Sequence, residues 1–307
     1  MQIYLPIAEL SVNAFVLLGL GGAVGFLSGM FGVGGGFLMT PLLIFTGIPP
    51  AVAVGTEAVQ IVATSMSGVL AHWRRKAVDF KMAGVLLAGG AVGSVTGVLI
   101  FSALRNEGQI DLFISLAYVV FLGVIGALMM NESLRAIRAQ RQGRSVAVRK
   151  PGTHGWIHGL PLKLRFKRSK IYVSAIPVWV IGFIIGFVGA VMGIGGGFLL
   201  VPMLIYFLHV PTATVIGTSM VLTLITMASA TVMHATTNHL VDAVLALILM
   251  IGGVIGAQFG ARAGQNMRGE RLRLLLGLLV LAVGLRFAYQ LVVQPGDLYS
   301  VRQLGAE

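Results

Sequence analysis

The chain has 307 residues, of which 57% are hydrophobic and 10% are charged. Soluble domains carry about 25% charged residues, so this composition excludes an ordinary soluble protein and indicates a membrane protein. The net charge of +12 would favour nucleic acid as the partner of a soluble protein. Here the basic residues are concentrated in a few loops between apolar segments, so we expect no nucleic-acid partner. The lack of cysteine excludes disulfides, thiolate metal ligands and a cysteine nucleophile.

Five apolar segments occupy residues 11–130, and we assign this range to a first transmembrane repeat. No basic residue precedes the first segment, so we do not expect a cleaved signal peptide. About 20 apolar residues cross the hydrocarbon core of a bilayer, and every segment except the second reaches this length. The segments are 11–31, 37–48, 51–73, 79–104 and 110–130.

Residues 131–170 form a predicted loop that separates the two halves of the chain. Eleven of its residues are basic and only Glu132 is acidic, so we expect a cytoplasmic loop that contacts anionic lipid headgroups. A second transmembrane repeat follows at 171–292, and residues 293–307 form a polar tail. The apolar segments of the second repeat are 171–192, 198–208, 211–234, 242–263 and 272–292.

Two glycine-rich interruptions indicate that the halves arose by duplication. Gly32-Val33-Gly34-Gly35-Gly36 is followed by Pro41, and the corresponding Gly193-Ile194-Gly195-Gly196-Gly197 is followed at the same distance by Pro202. Further pairs match at an offset that differs only slightly from the offset between these two motifs. These pairs are Gly55-Thr56 with Gly217-Thr218, His72 with His234, Asp79 with Asp242, and Gly89, Gly93 and Gly97 with Gly252, Gly256 and Gly260.

The distribution of basic residues predicts that the two repeats have opposite orientations in the membrane. Nineteen of the 22 Lys and Arg residues lie in loops 74–81, 131–170 and 262–273. If these loops are cytoplasmic, each repeat crosses the membrane an odd number of times, and both termini lie outside. Five spans per repeat and three spans with one re-entrant hairpin both satisfy this rule. We therefore expect an all-α polytopic membrane protein with two inverted-topology repeats.

Each glycine break predicts a half-helix that begins near the membrane midplane. Three consecutive glycines cost roughly 1 kcal/mol each in helix propensity, so new helices would begin at Phe37 and Phe198. The free N–H groups at such helix starts bind anions, and two inverted breaks would meet near the midplane. Close packing through small residues explains a glycine triplet poorly. The amides that we expect to bind substrate are those of Gly34, Gly35, Gly36, Gly195, Gly196 and Gly197.

Polar residues follow each break on one face of the next segment. We expect the hydroxyls of Thr56, Thr218 and Ser219 to bind the substrate, and hydrogen bonding between helices remains an equal alternative for the two threonines. Glu57 is the one acidic residue well inside a predicted span, and its counterpart is Ser219. Because a carboxylate is costly inside a bilayer, Glu57 is either a proton-coupling group or a structural residue that is protonated or hydrogen-bonded.

Other conspicuous residues have structural interpretations. His72 and His234 end their segments, where we expect solvated side chains. Asp79 and Asp242 begin segments and are predicted helix N-caps, while the glycine stripes are predicted to pack helices together. Arg286 lies inside the last apolar segment, and the sequence assigns it no role.

The doubled glycine motif resembles that of the TauE/SafE-type sulfite exporter family, also called the toluene sulfonate uptake permease family. The similarity rests on residues 32–36 with Pro41, on residues 193–197 with Pro202, and on Gly55-Thr56 and Gly217-Thr218-Ser219. It covers both repeats but not the central loop or the tail. The resemblance implies an inner-membrane transporter for sulfite or organosulfonates. Glu57 departs from the Gly-Thr-Ser pattern of the second repeat.

The sequence thus predicts a transporter that moves a sulfur-containing anion by alternating access, with import and export both open. The main alternative is a non-transporting sensor or scaffold that acts through loop 131–170, and an ion channel also stays open. An enzyme finds little support, because the sequence contains no metal-binding cluster, nucleophile–base pair or phosphate-binding loop. We expect no catalytic residue, metal or cofactor.

Overall fold

The computed structural model describes residues 2–31, 36–74, 78–141, 161–166, 168–169, 171–208, 210, 212–265 and 269–293. These ranges contain ten α-helices, one π-helical turn and two β-hairpins. The α-helices are α1 (Ala14–Phe31), α2 (Gly36–Phe45), α3 (Pro50–Arg74), α4 (Phe80–Asn106), α5 (Ile110–Arg141), α6 (Ala175–Met192), α7 (Gly197–Tyr206), α8 (Thr212–Met233), α9 (Ala243–Gln265) and α10 (Gly269–Val292). The π turn is His234–Asn238, and the strands are β1 (Gln2–Leu5), β2 (Leu10–Asn13), β3 (Lys163–Phe166) and β4 (Ile171–Ser174).

The expected all-α polytopic fold is confirmed. Within the described ranges, seven helices are long and apolar enough to cross a membrane, namely α3 to α6 and α8 to α10. The short helices α2 and α7 have ten residues each, which corresponds to about 15 Å at 1.5 Å per residue. Each therefore covers only about half of the 30 Å hydrocarbon core. They begin at Gly36 and Gly197, one position before the predicted starts.

The glycine stripes hold two pairs of helices in direct backbone contact. A Cβ atom placed on Gly25 of α1 would overlap the carbonyl of Gly253 in α9, and one placed on Gly93 of α4 would overlap the carbonyl of Phe183 in α6. The contacts advance along both members of each pair in the same direction, so α1 is parallel to α9 and α4 is parallel to α6. The predicted packing role of these glycines is confirmed.

Two further pairs join helices that correspond to each other in the repeat. On α5 and α10, Gly126 lies against Leu281, while Gly284 lies against Leu122 and Gly123. On α3 and α8, Gly68 contacts Met220 near the start of α8, and Gly55 contacts Leu240 beyond its end. Both pairs are therefore antiparallel.

Two antiparallel hairpins, which the sequence analysis did not predict, precede α1 and α6. β1 pairs with β2, and β3 pairs with β4. The second hairpin lies partly inside the segment that we assigned to the central loop, and α5 continues past its predicted end at Met130 as far as Arg141. The strands of the two hairpins are separated along the chain by the same offset as the two glycine breaks, so the structural repeat includes both hairpins.

Candidate functional site

The two glycine breaks contact each other at the centre of the fold. The rings of Phe37 and Phe198, the second residues of α2 and α7, are stacked with centroids 4.1 Å apart. A Cβ atom on Gly36 would lie 2.8 Å from the amide nitrogen of Gly195 and 3.0 Å from the carbonyl oxygen of Gly193. The starts of the two short helices therefore form one continuous junction, which we call the break junction.

Gly193 ends α6 in a conformation that few other residues adopt. Its φ angle is +66°, in the left-handed region, and its amide closes the helix on the carbonyl of Gly189. A Cβ atom at this position would lie 3.0 Å from the Cα atom of Val54 and 3.2 Å from the hydroxyl oxygen of Thr40. Glycine is thus required both by the backbone angle and by the close approach of α2 and α3.

The start of α7 leaves backbone donors without a side-chain cap. Gly196 is the N-cap residue, and glycine supplies no side-chain hydrogen bond to the first amides of the helix. Such a helix start carries a partial positive charge, which favours an anion. The Phe198 amide donates a long hydrogen bond of 3.4 Å to the carbonyl of Gly195. Gly36 begins α2 and is buried, whereas the predicted ligands Gly34 and Gly35 lie outside the described residues.

Glu57 lies in the part of α3 that faces the break junction. Val54 and Ile61, one turn away on either side, contact Gly193 and Gly195. The side chain of Glu57 is only 1% exposed, and its Oε2 atom has no hydrogen-bond partner within the described residues.

The Tyr118 phenol lies close to this carboxyl group and to the hydroxyl of Thr40. It interacts electrostatically with Glu57 and approaches Thr40, but its own hydrogen bond is donated to the backbone carbonyl of Met192 at 2.5 Å. The contact between the phenol and the Thr40 hydroxyl does not have hydrogen-bond geometry. Tyr118 therefore borders the break junction with its donor already used.

Other buried oxygens also lack partners, and two of them, those of Thr40 and Thr223, lie beside Gly193 and Gly196. Thr40 and Thr223 are 0% and 4% exposed, and neither hydroxyl has a hydrogen-bond partner in the described part of the chain. Buried polar groups are normally paired, so unpaired ones need an explanation. Within the described ranges, the atoms of this kind are Thr40 Oγ1, Glu57 Oε2, Gln60 Oε1, Ser133 Oγ, Thr223 Oγ1 and Thr231 Oγ1.

The sequence analysis did not single out Thr40 or Thr223. Thr40 lies in an apolar run just before Pro41, where a threonine carries no distinguishing signal. Thr223 belongs to the polar face of α8, but several threonines of that helix share this pattern. One of them, Thr226, donates its hydroxyl to backbone carbonyls of its own helix. Only the three-dimensional contacts separate these two cases.

Thr56 and Thr218 join the two repeats through matching hydrogen bonds. The hydroxyl of Thr56 accepts from the backbone N–H of Asp242 at 3.1 Å, and that of Thr218 accepts from the N–H of Asp79 at 3.1 Å. We call each of these pairs a Thr–Asp latch. Their predicted role as substrate ligands stays a prediction, and both hydroxyls have protein partners in this structure.

The aspartates of the latches also hold the hairpins. Asp79 caps α4 by accepting from the Met82 amide, and its other oxygen accepts from the amide and hydroxyl of Ser169 in the second hairpin. Asp242 accepts from the Val244 and Leu245 amides and from the Ile7 amide in the first hairpin at 3.1 Å. The predicted N-cap roles are confirmed, and each cap ties down the hairpin turn of the other repeat.

Ser219, the counterpart of Glu57, bonds within its own helix. Its hydroxyl donates to the carbonyl of Ile216 at 2.8 Å, and the side chain is 2% exposed. Its predicted role as a ligand is untested by this contact. The geometry nevertheless differs from that of Glu57, whose Oε2 atom has no partner in the described ranges.

His234 does not have the solvated environment that we expected. Its side chain is fully buried, because the π turn packs its ring edge-on against Phe101. The Nε2 atom lies 3.0 Å from the carbonyl of Ala190, and the Nδ1 atom lies 3.2 Å from the amide of Asn238. The expectation was wrong for His234 because the chain continues into a π turn instead of ending at the interface.

Arg286 lies on the exposed side of α10 near its end. Its guanidinium group is 5.8 Å from the centroid of the Phe45 ring in α2, a distance at which a cation and an aromatic face attract each other. This contact gives the residue the role that the sequence left open. No group of three or more His, Cys, Asp or Glu side chains suited to a metal ion occurs among the described residues.

Comparisons with known proteins agree on one family. The family described as Sulfite exporter TauE/SafE matches residues 17–287. A probable membrane transporter protein of Xylella fastidiosa is 31% identical over 283 residues, covering 89% of this chain and 94% of the relative. The probable membrane transporter protein YjnA of Bacillus subtilis is 28% identical over 279 residues, covering 89% and 98%. No solved structure matches. The chain is a member of the TauE/SafE sulfite exporter family of membrane transporters.

Proposed function

We propose that this protein transports a small sulfur-containing anion, such as sulfite or an organosulfonate, with the break junction as its binding site. The observation that carries the proposal is the contact between the two breaks, where an uncapped helix start lies beside buried polar atoms without partners. A helix start stabilises negative charge without a buried cation. The family to which the chain belongs supports the sulfur-containing class. In this proposal the chain has no catalytic activity.

The helix directions support transport by alternating access. Corresponding helices of the two halves, α3 with α8 and α5 with α10, contact each other in antiparallel orientation. This is the relation expected for inverted-topology repeats, in which a site between the repeats opens to each side in turn. We propose that the break junction lies near the membrane midplane and opens to each side in turn.

We further propose that Glu57 couples transport to protons. Its carboxyl is buried beside the proposed anion site, where a carboxylate would repel the anion. Protonation removes this repulsion and supplies an O–H donor, so a proton and an anion would enter the site together. The second repeat has Ser219 at this position, so one carboxyl of this kind is present per chain.

The charge pattern supports an inner-membrane location with a cytoplasmic central segment. Basic residues are enriched at 131–170, and cytoplasmic loops carry such an excess. The same residues suit contact with anionic lipid headgroups. In this arrangement both termini lie outside, and most of the basic segment belongs to residues outside the described ranges.

The test is uptake of labelled sulfite and of an alkanesulfonate into sealed proteoliposomes, with and without an imposed pH gradient. We compare the wild-type protein with Glu57→Gln, which keeps the shape of the side chain but cannot carry the charge. The matched control is Glu107→Gln, because Glu107 is an exposed carboxylate at the end of α4.

We expect saturable uptake that increases with the gradient, is lost in Glu57→Gln, and is retained in Glu107→Gln. Uptake that does not depend on the pH gradient and persists in Glu57→Gln would refute the proton-coupling role of Glu57. The proposed anion site at the break junction would still stand. Failure to move any of the sulfur-containing anions, in vesicles where the protein is folded, would refute the proposed substrate class. Release of a bound partner on removing residues 142–160, without any effect on flux, would favour an additional scaffold role.

A further inference from the structure

We propose that the hydroxyls of Thr40 and Thr223, together with the first amides of α7, bind the oxygens of the transported anion. This inference rests on the proposed function and specifies its ligands. It names hydroxyls other than those of Thr56 and Thr218, which accept hydrogen bonds in the Thr–Asp latches and whose predicted role as ligands stays a prediction.

The two threonines approach the same glycine break from different helices. The Thr40 hydroxyl, on α2, would be 3.2 Å from a Cβ atom on Gly193, and the Thr223 hydroxyl, on α8, would be 3.2 Å from a Cβ atom on Gly196. Each oxygen therefore lies beside backbone that carries no side chain. Gly196 is also the residue at which α7 begins without a cap.

Both hydroxyls are buried and unpaired within the described residues. A buried hydroxyl without a partner costs roughly 1–3 kcal/mol, so a protein retains one where a ligand satisfies it or where its geometry leaves no choice. Thr226, one turn along the same helix from Thr223, uses a bond to its own helix backbone. Thr223 has no such bond.

The chemistry of this ligand set favours a small oxyanion. Hydroxyl and amide groups donate hydrogen bonds from several directions, which suits the separate oxygens of sulfite or a sulfonate. The set adds no permanent positive charge, so binding relies on directed donors and on the charge state of Glu57. The corresponding positions in the other repeat are Val201 for Thr40 and Ile61 for Thr223, so the donors are not duplicated.

The test uses Thr40→Val and Thr223→Val, which remove the hydroxyl and preserve the shape. Thr226→Val is the matched control, since Thr226 is equally buried on α8 but its hydroxyl bonds within the helix. Two measurements are made on each purified protein. One is the KM for sulfite uptake in proteoliposomes. The other is the thermal midpoint in detergent, without ligand and with sulfite, methanesulfonate, sulfate or thiosulfate.

If the hydroxyls bind the anion, each of the two variants raises the KM about tenfold or more and reduces the thermal stabilisation by sulfite. The midpoint without ligand stays the same or rises, because a buried unpaired hydroxyl has been removed. Thr226→Val keeps the wild-type KM. A purely structural role for Thr40 and Thr223 would lower the unliganded midpoint and leave the KM unchanged.

The outcomes also separate this inference from the proposed function. Wild-type sulfite uptake with an unchanged KM in both variants overturns the ligand assignment and leaves the function standing. The wild-type protein could instead fail to take up sulfite or a sulfonate but be stabilised by another anion, with this stabilisation lost only in Thr40→Val and Thr223→Val. That result would overturn the substrate class and support the two hydroxyls as ligands. If no anion in the set stabilises the wild-type protein or is taken up by it, both are wrong.

Discussion

The first and second repeats share their scaffold but differ at the break junction. Each repeat has a hairpin, a broken helix pair, a Thr–Asp latch and a glycine stripe at matching positions. The unpaired buried oxygens of Thr40, Glu57, Gln60 and Thr223 do not follow this symmetry. Their counterparts at the repeat offset are Val201, Ser219, Leu222 and Ile61.

This difference separates the parts of the molecule that hold it together from the parts that could recognise a ligand. Each duplicated contact occurs twice and joins one half to the other both times, so these contacts suit a symmetric scaffold that holds the two halves together. A single anion at the break junction needs one set of hydrogen-bond donors and one proton-coupling group. A second glutamate at the Ser219 position would place another carboxyl close to that of Glu57. The following substitutions test whether scaffold contacts are equivalent in the two repeats.

The largest effect should come from the glycine stripes. We expect Gly93→Ala and Gly256→Ala to cost about 3 kcal/mol or more each, because the added methyl group overlaps a backbone carbonyl of the neighbouring helix. The measurement is the yield of monodisperse protein by size-exclusion chromatography in detergent. Gly84→Ala on α4 is the control, since a Cβ atom there meets nothing within 4 Å. Normal yield from one of the two stripe variants would show that the helix pairs are not equivalent.

The aspartates of the latches should give the next largest effect. Asp79→Ala and Asp242→Ala each remove a helix cap and the bonds to the opposite hairpin, so we expect each to cost about 3 kcal/mol. The thermal midpoints of the two variants in the same detergent provide the measurement. The idea of matched latches would be contradicted if one variant melted like the wild type.

The threonines of the latches should have smaller and equal effects. Thr56→Val and Thr218→Val each remove one hydrogen bond between the repeats, which is worth about 1 kcal/mol. We expect similar decreases in thermal midpoint and an unchanged KM for sulfite. A KM that rises with no change in midpoint would instead restore these hydroxyls as substrate ligands, as the sequence predicted.

Ser219 should give the smallest effect. Its hydroxyl bonds only to the carbonyl of Ile216, so Ser219→Ala should change stability by less than about 0.5 kcal/mol and leave gradient-driven uptake unchanged. Uptake assays beside Glu57→Gln provide the comparison. Loss of coupling in Ser219→Ala would mean that the two positions act together despite their different chemistry.

The structure confirms what the sequence predicted of the scaffold, whereas the predicted ligands of the site stay predictions. The broken helices, the packed glycine stripes and the helix caps at Asp79 and Asp242 each depend on a few residues that are close in sequence. These features were therefore predictable. The hairpins were missed because four-residue strands carry little periodic signal, and because β2 and β4 overlap the starts of apolar segments that we assigned to spans. Whether a threonine hydroxyl bonds to its own helix, as in Thr226, or stays unpaired, as in Thr223, depends on neighbours distant in sequence.

The parallel glycine pairs also bear on how the chain is assembled. The partner of α1 is α9, which begins only at Ala243 in the opposite half, and the partner of α6 is α4, again in the opposite half. Neither half contains the neighbour that its own first helix packs against. During synthesis α1 must therefore remain in the lipid with its glycine face uncovered until almost the whole chain has been inserted. A chain that ended before Ala243 would therefore lack the helix that covers the glycine face of α1.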